Sequence, residues 1–116
     1  MERIIIDTDP GVDDAMAILL AVKAADRLKI EALTTVDGNV GIDRVTVNAL
    51  SILELCGAED IPVYRGADHP LDKETAYSDD FHGSDGLSGV DVRPKHRTVC
   101  QEPAVDFLVR RAAEEP

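Results

Sequence analysis

Four aspartates, Asp7, Asp9, Asp13 and Asp14, fall within eight residues, directly after the apolar run Ile4-Ile5-Ile6. Aspartate is a poor strand former and favours turns, so such a density at the end of an apolar run calls for a cause. Two carboxylates about 6 Å apart repel by roughly 2–3 kcal/mol at an effective dielectric near 20. The group must therefore hold protons, splay into water, or share a divalent cation. All-oxygen donors suit a hard cation, calcium or magnesium, rather than zinc. The competing explanation is local: Asp7 and Asp9 as turn formers and Asp13 as a helix cap.

The elements that must carry these residues are legible in the periodicity. Arg3–Ile6 is a short β-branched run of the kind found in buried parallel strands. After the turn from Asp7 to Val12 a helix is expected from about Asp13 to Ala25, with Ala15, Ile18, Leu19 and Val22 as its apolar stripe. Leu28–Val36 reads as a second strand and Asp37-Gly38-Asn39 as its exit turn. A second helix follows from about Ile42 to Cys56, with Val45, Ala49, Ile52, Leu53 and Cys56 on one side and Gly57 as its stop. Ile61–Tyr64 is a third strand, and Pro103–Glu115 a third helix with Val105, Leu108, Val109 and Ala112 apolar. Strand–helix alternation with short links predicts an α/β fold, a Rossmann-like open parallel sheet with crossover helices. A third helix with no fourth strand after it predicts that the domain is truncated after the third strand and third helix. Residues 65–101 show no period and are expected to form one long pocket-side loop in a single domain spanning 1–116.

Composition narrows the function. The chain has 116 residues, 44% hydrophobic and 30% charged, with a net charge of −11. That charge repels nucleic acids and anionic membrane surfaces, and 3% aromatics without tryptophan leaves no stacking platform for single strands. No nucleic-acid or membrane partner is expected. Cys56 and Cys100 are too few and too far apart for a disulfide framework, so two free thiols and a cytoplasmic setting are expected. The start, Met1 to Asp7, has neither the apolar core nor the cleavage site of a secretory leader.

Spacing tests several cation and phosphate motifs. Counted from Asp7, an EF-hand loop would need an oxygen ligand where Gly11 stands and glycine where Val12 stands, and it fails. No Gly-Lys-Ser/Thr phosphate loop is present. Asp7-Thr8-Asp9 resembles the first motif of haloacid-dehalogenase-type phosphotransferases. Gly11 departs from that pattern, and Asp13-Asp14 has no place in it. Ser78, Ser84 and Ser88 lack a base and orienter nearby, and His69 and His96 read as surface residues.

The whole run Ile5-Ile6-Asp7-Thr8-Asp9-Pro10-Gly11-Val12-Asp13-Asp14-Ala15 resembles the amino-terminal signature of the inosine–uridine-preferring nucleoside hydrolases. Thr34-Thr35-Val36-Asp37-Gly38-Asn39-Val40 and Phe81-His82-Gly83-Ser84-Asp85-Gly86-Leu87 agree with it in order and spacing. The resemblance covers the first part of a family chain. It implies hydrolysis of ribonucleosides to ribose and free base with Ca2+ as cofactor, in a parent enzyme that is a homo-oligomer. By resemblance, Asp9 is a calcium ligand and the general base on water, and Asp14 a calcium ligand through both oxygens. Asp13 and Asn39 resemble the residues that contact ribose hydroxyls, Asp7 one that orients the others, and His82 a mobile-loop residue that assists the leaving base. Asp37 stands where the family has a small or neutral residue, which places an extra charge beside the pocket. The resemblance also puts a backbone carbonyl, a distal Asp and a distal His of the family site beyond position 116.

The chemistry agrees with these roles. Breaking an N-glycosidic bond passes through an oxocarbenium-like sugar that carboxylates stabilise, much as at O-glycosides. A hard cation gathers vicinal hydroxyls and acidifies water. An acidic site suits uncharged nucleosides better than nucleotides. The expectation is a calcium-dependent nucleoside hydrolase whose 116 residues alone are inactive. The alternatives are a non-catalytic calcium- or ribose-binding remnant and a magnesium-dependent phosphotransferase.

Overall fold

A computed structural model describes residues 1–38, 40–68 and 99–115. Its elements are β1 (Glu2–Thr8), α1 (Val12–Lys23), β2 (Leu28–Thr35), α2 (Ile42–Leu55), β3 (Val63–Tyr64) and α3 (Ala104–Glu114). The strands form one parallel sheet in the order β1-β2-β3, so the expected open α/β sheet with crossover helices is present. Ala32, Leu33, Thr34 and Thr35 are all buried, as a central parallel strand covered on both faces requires.

The β1–β2 register contains one irregularity. Ile4 pairs with Ile30 but Ile5 pairs with Ala32, leaving Glu31 as an extra residue in β2. The bulge resets the alternation of faces, so that Ile30 and Leu33, three apart, both pack on the same core. That core joins Ile18 of α1 and Ala49, Leu50, Ile52 and Leu53 of α2 to Leu33 and Val63 of the sheet. Tyr64 faces the opposite side from Val63, and there its ring stacks on Phe107 of α3 at 4.0 Å between centroids. The sheet is thus covered by α1 and α2 on one face and by α3 on the other.

Local chemistry sets the helix ends. Gly11 is the N-cap of α1, and its N–H donates to the Asp14 carboxylate at 3.3 Å, one half of a capping box. Asp13 is therefore inside the first turn and is not the cap. Gly57 ends α2 at φ +72°, with Ala58 N–H donating to Leu53 O (2.8 Å) and Gly57 N–H to Glu54 O (3.1 Å), a Schellman arrangement.

Three expectations need correction. Of the apolar positions that mark α3 in the sequence, Val105 and Val109 are 66% and 68% exposed, while Ala104 and Phe107 are the buried ones. The rotation of α3 is set by the Phe107 stack and by Arg111, whose Nε and Nη2 donate to the two Glu31 oxygens at 3.0 and 3.1 Å. Pro103 is the N-cap of α3 rather than a member of its first turn. The stretch read as loop to residue 101 also contains sheet geometry, because Cys100 forms a parallel bridge with Tyr64 and donates its N–H to Val63 O at 2.8 Å. Most of the expected 65–101 loop, including His69, Ser78, Ser84, Ser88 and His96, lies outside the described residues.

Candidate active site at the carboxyl ends of the strands

In an open parallel sheet ligands bind beyond the strand carboxyl ends, and there β1 and β2 deliver Asp7 to Asp9 and Thr34 to Gly38. Asp7 and Thr34 are register partners. Thr34 Oγ1 donates to Asp7 Oδ1 at 2.6 Å, so the exposed Asp7 carboxylate is held from one side by a fully buried hydroxyl. The ladder continues one step further, with Val36 N–H donating to Thr8 O at 3.0 Å.

Asp9 projects over the exit turn of β2. A Cβ at Gly38 would collide with Asp9 Oδ2, so only a bare backbone lets that carboxylate lie there. Gly38 N–H donates to Val40 O at 3.3 Å. Asp37 beside it is only 9% exposed. Asp14 lies in the first turn of α1, where burial pushes its carboxyl pKa up and the charges of Asp9 and Asp13 push it further. The Gly11 N–H and the buried Thr8 hydroxyl act in the other direction. Asp9, Asp13 and Asp14 therefore share one electrostatic neighbourhood, as the spacing predicted. Asn39 and His82 lie outside the described residues.

A chain of hydroxyls secures the turn from below. Gly66 N–H donates to Thr35 Oγ1 at 3.3 Å, the Thr35 and Thr46 hydroxyls share a 2.9 Å hydrogen bond, and Thr46 donates to Ile42 O at 2.7 Å. All donors run in one direction, from the β3 exit into the first turn of α2. Gly66 passes so close to β2 that a Cβ there would strike Thr35 O. Beside it, Arg65 Nε and Nη2 donate to Asp43 Oδ1 at 3.0 and 2.9 Å, tying the same β3 exit to α2. Sequence reasoning missed Thr46, Asn48 and Ser51, three buried polar residues of α2. The available signal was polarity at positions flanking an apolar stripe, since a buried polar group must find a partner.

Whether these residues suit a cation can be judged from the donors. They are all oxygen, Asp14 is burdened by neighbouring negative charge, and Gly38 leaves the space that Asp9 needs. The donor set fits a hard cation, yet among the described residues no three His, Cys, Asp or Glu side chains are grouped closely enough to hold one.

A parallel sheet with crossover helices and a carboxylate-rich turn at its carboxyl edge defines an α/β protein with a strand-end acidic site. The chain belongs to the inosine-uridine preferring nucleoside hydrolase family, whose profile it matches over residues 4–116. It is 43% identical over 116 residues to Uridine nucleosidase 1 of Arabidopsis thaliana, covering 99% of this chain and 34% of that protein. It is 41% identical over 110 residues to Non-specific ribonucleoside hydrolase RihC of Escherichia coli, covering 95% of this chain and 35% of that protein. Among solved structures, the plant nucleoside hydrolase PpNRh1 superposes with a TM-score of 0.91 at 44% identity, covering 99% of this chain and 36% of that one. The Purine-Preferring Ribonucleoside Hydrolase from Gardnerella vaginalis gives 0.89 at 31% identity, covering 97% and 37%. The chain thus spans about a third of the length of the curated relatives it matches. Among the described residues no helix is long and apolar enough to cross a membrane.

Proposed function

We propose that this chain is the amino-terminal part of a single nucleoside hydrolase domain and carries the first half of a calcium site that cleaves ribonucleosides to ribose and free base. What supports this reading is the family match over residues 4–116, with Asp9 in the turn after β1 and Asp13 and Asp14 in the first turn of α1. Asp9 and Asp14 are the residues that would hold the ion. When bound, calcium would supply positive charge that gathers vicinal ribose hydroxyls and makes water more acidic. Asp9 takes the proton of the attacking water, and Asp13 hydrogen-bonds a ribose hydroxyl. Asp7, fixed by Thr34, orients the turn. Asn39 contacts the sugar, and His82 assists departure of the base, which is a poor leaving group until protonated. The negative surroundings stabilise the oxocarbenium-like sugar and disfavour phosphorylated substrates. The two free thiols, Cys56 and Cys100, agree with a reducing cytoplasm, and the working enzyme is a homo-oligomer.

A second reading for the 116 residues by themselves is calcium or ribose binding without turnover, supported by their spanning only about a third of the relatives they match. The phosphotransferase alternative draws no support from the family match. Calorimetric titration of the chain with calcium, beside a ribose-release assay on inosine and uridine, tests both readings. Weak calcium binding that Asp14→Asn removes, with no ribose released, is the expected result. A heat signal identical with and without Asp14→Asn overturns the metal assignment, and calcium-dependent ribose release overturns the inactivity of the isolated chain.

A further inference from the structure

We infer that Asn48 is a positioning residue that orients the Asp14 carboxylate through a single peptide group. Asn48 lies in the middle of α2, with no surface exposed to solvent. A buried amide is costly unless it is hydrogen-bonded, and its Nδ2 donates to the carbonyl of Pro10 at 3.2 Å, 38 residues away in sequence. That carbonyl belongs to the Pro10–Gly11 peptide. The N–H at the other end of the same peptide donates to Asp14 Oδ2 at 3.3 Å.

A peptide group is planar and turns as one body. Gripping its C=O therefore aims its N–H. Asn48 holds one end from α2, Asp14 takes the other end in α1, and Asp9 immediately precedes Pro10. Pro10 itself has a fixed φ and is buried, so the remaining freedom of this peptide is rotation about the Pro10 Cα–C bond. The Asn48 bond removes that freedom. The same arrangement polarises the peptide, since donating to its carbonyl makes its N–H a stronger donor to the carboxylate. Asn48 touches neither Asp9 nor Asp14 through this bond. Its effect on the acidic site runs through the backbone, and only the purpose of that site rests on the proposed hydrolase reading.

The test compares the wild-type chain with Asn48→Asp, which keeps the shape but sets a carboxylate oxygen against the Pro10 carbonyl. Ser51→Ala serves as control, because it removes a hydrogen bond from the same helix (Ser51 Oγ to Val47 O, 2.7 Å) without reaching the turn. By NMR, Asn48→Asp should speed amide exchange at Gly11 about tenfold, the factor expected from one lost hydrogen bond, and move the Asp14 carboxyl 13C resonance. Ser51→Ala should do neither, and α3 amides should be unchanged in both. Equal acceleration throughout the chain, or an unmoved Asp14 resonance, would show an ordinary core residue and overturn the inference. If Asn48→Asp does not fold, the wild-type chain decides. Slow exchange of the Asn48 side-chain amide with a scalar coupling from its Nδ2 to the Pro10 carbonyl carbon supports the role, and rapid exchange without the coupling ends it. Calcium calorimetry on the wild type judges the hydrolase reading separately, so either can fail alone.

Discussion

Thr34 Oγ1 donates a 2.6 Å hydrogen bond to Asp7 Oδ1, joining a fully buried strand hydroxyl to an exposed carboxylate at the rim of the sheet. The two residues are opposite each other in the parallel ladder, so backbone register alone brings them together. Replacing Thr34 by Val keeps the β-branched shape and deletes the donor. Thr34→Val should lower unfolding free energy by about 1.5–2 kcal/mol, the lower part of the range for a hydrogen bond to a charged group, while Thr34→Ser should recover most of it. Urea denaturation of the three proteins at pH 7 measures the difference.

Burial and the charges of Asp9 and Asp13 raise the Asp14 pKa, so the folded chain holds this proton more tightly than the unfolded chain does. The sign follows from linkage: the penalty is absent below the ordinary aspartate pKa, grows as pH rises toward the raised value, and is complete above it. Asp14→Asn should therefore raise the melting temperature at pH 7 and leave it little changed in acid, when each variant is compared with wild type across pH. The same substitution should weaken calcium binding. A variant that is both more stable and poorer at binding is the expected signature of a functional carboxylate.

Gly38 is the residue whose side chain would invade the site. Gly38→Ala would press a methyl group into the Asp9 carboxylate. Overpacking of this kind costs roughly 1–3 kcal/mol when it cannot relax. Here Asp9 is half-buried and can swing away, so the expected outcome is a near-wild-type circular dichroism melt with a calcium affinity reduced about tenfold or more, as such a cost implies if it falls on the bound state. Calorimetry and thermal melts on one preparation separate the two effects.

Arg111 clamps Glu31 with two bonds, and both side chains are mostly withdrawn from solvent. Arg3 reaches the same carboxylate at 3.5 Å. Arg111→Leu should destabilise the fold by about 2–3 kcal/mol, the cost of leaving a half-buried charge with a weaker partner. Arg111→Lys should not restore it, because a point charge cannot reproduce the two-pronged geometry. Denaturation in low and high salt checks the assignment: a mostly buried pair responds less to salt than an exposed one such as Arg110–Glu114.

Local pattern carried much of this structure. The β-branched run of β1, the apolar stripe of α2 and the helix stop at Gly57 are short-range signals, and each appears where the residues indicate. The aspartate cluster was legible for the same reason, although Asp7, expected in the turn, is a residue of β1 because its backbone still pairs with Thr34. What escaped was long-range. Glu31 is an ordinary strand glutamate until Arg111, 80 residues later, is folded against it. The rotation of α3 follows from the Tyr64–Phe107 stack, which no helical period encodes. Asn48 sits among apolar neighbours in α2, and its partner is a carbonyl in a different βα turn.

The extra residue at Glu31 has a consequence for which changes this chain can tolerate. Upstream of it, β2 turns Ile30 to the helices. Downstream, it turns Leu33 to the helices and Thr34 to Asp7. With Glu31 removed, Ile30 and Leu33 would stand two apart and share a face by plain alternation, so the bulge could be lost with Leu33 still on the core and Thr34 still opposite Asp7; removal of a second residue would turn every later side chain to the other face. Point substitutions in this segment alter one contact at a time. This strand can therefore give up its spare letter, at the cost of the partner that Arg111 clamps, but the next deletion would exchange the greasy side for the reactive side in one step.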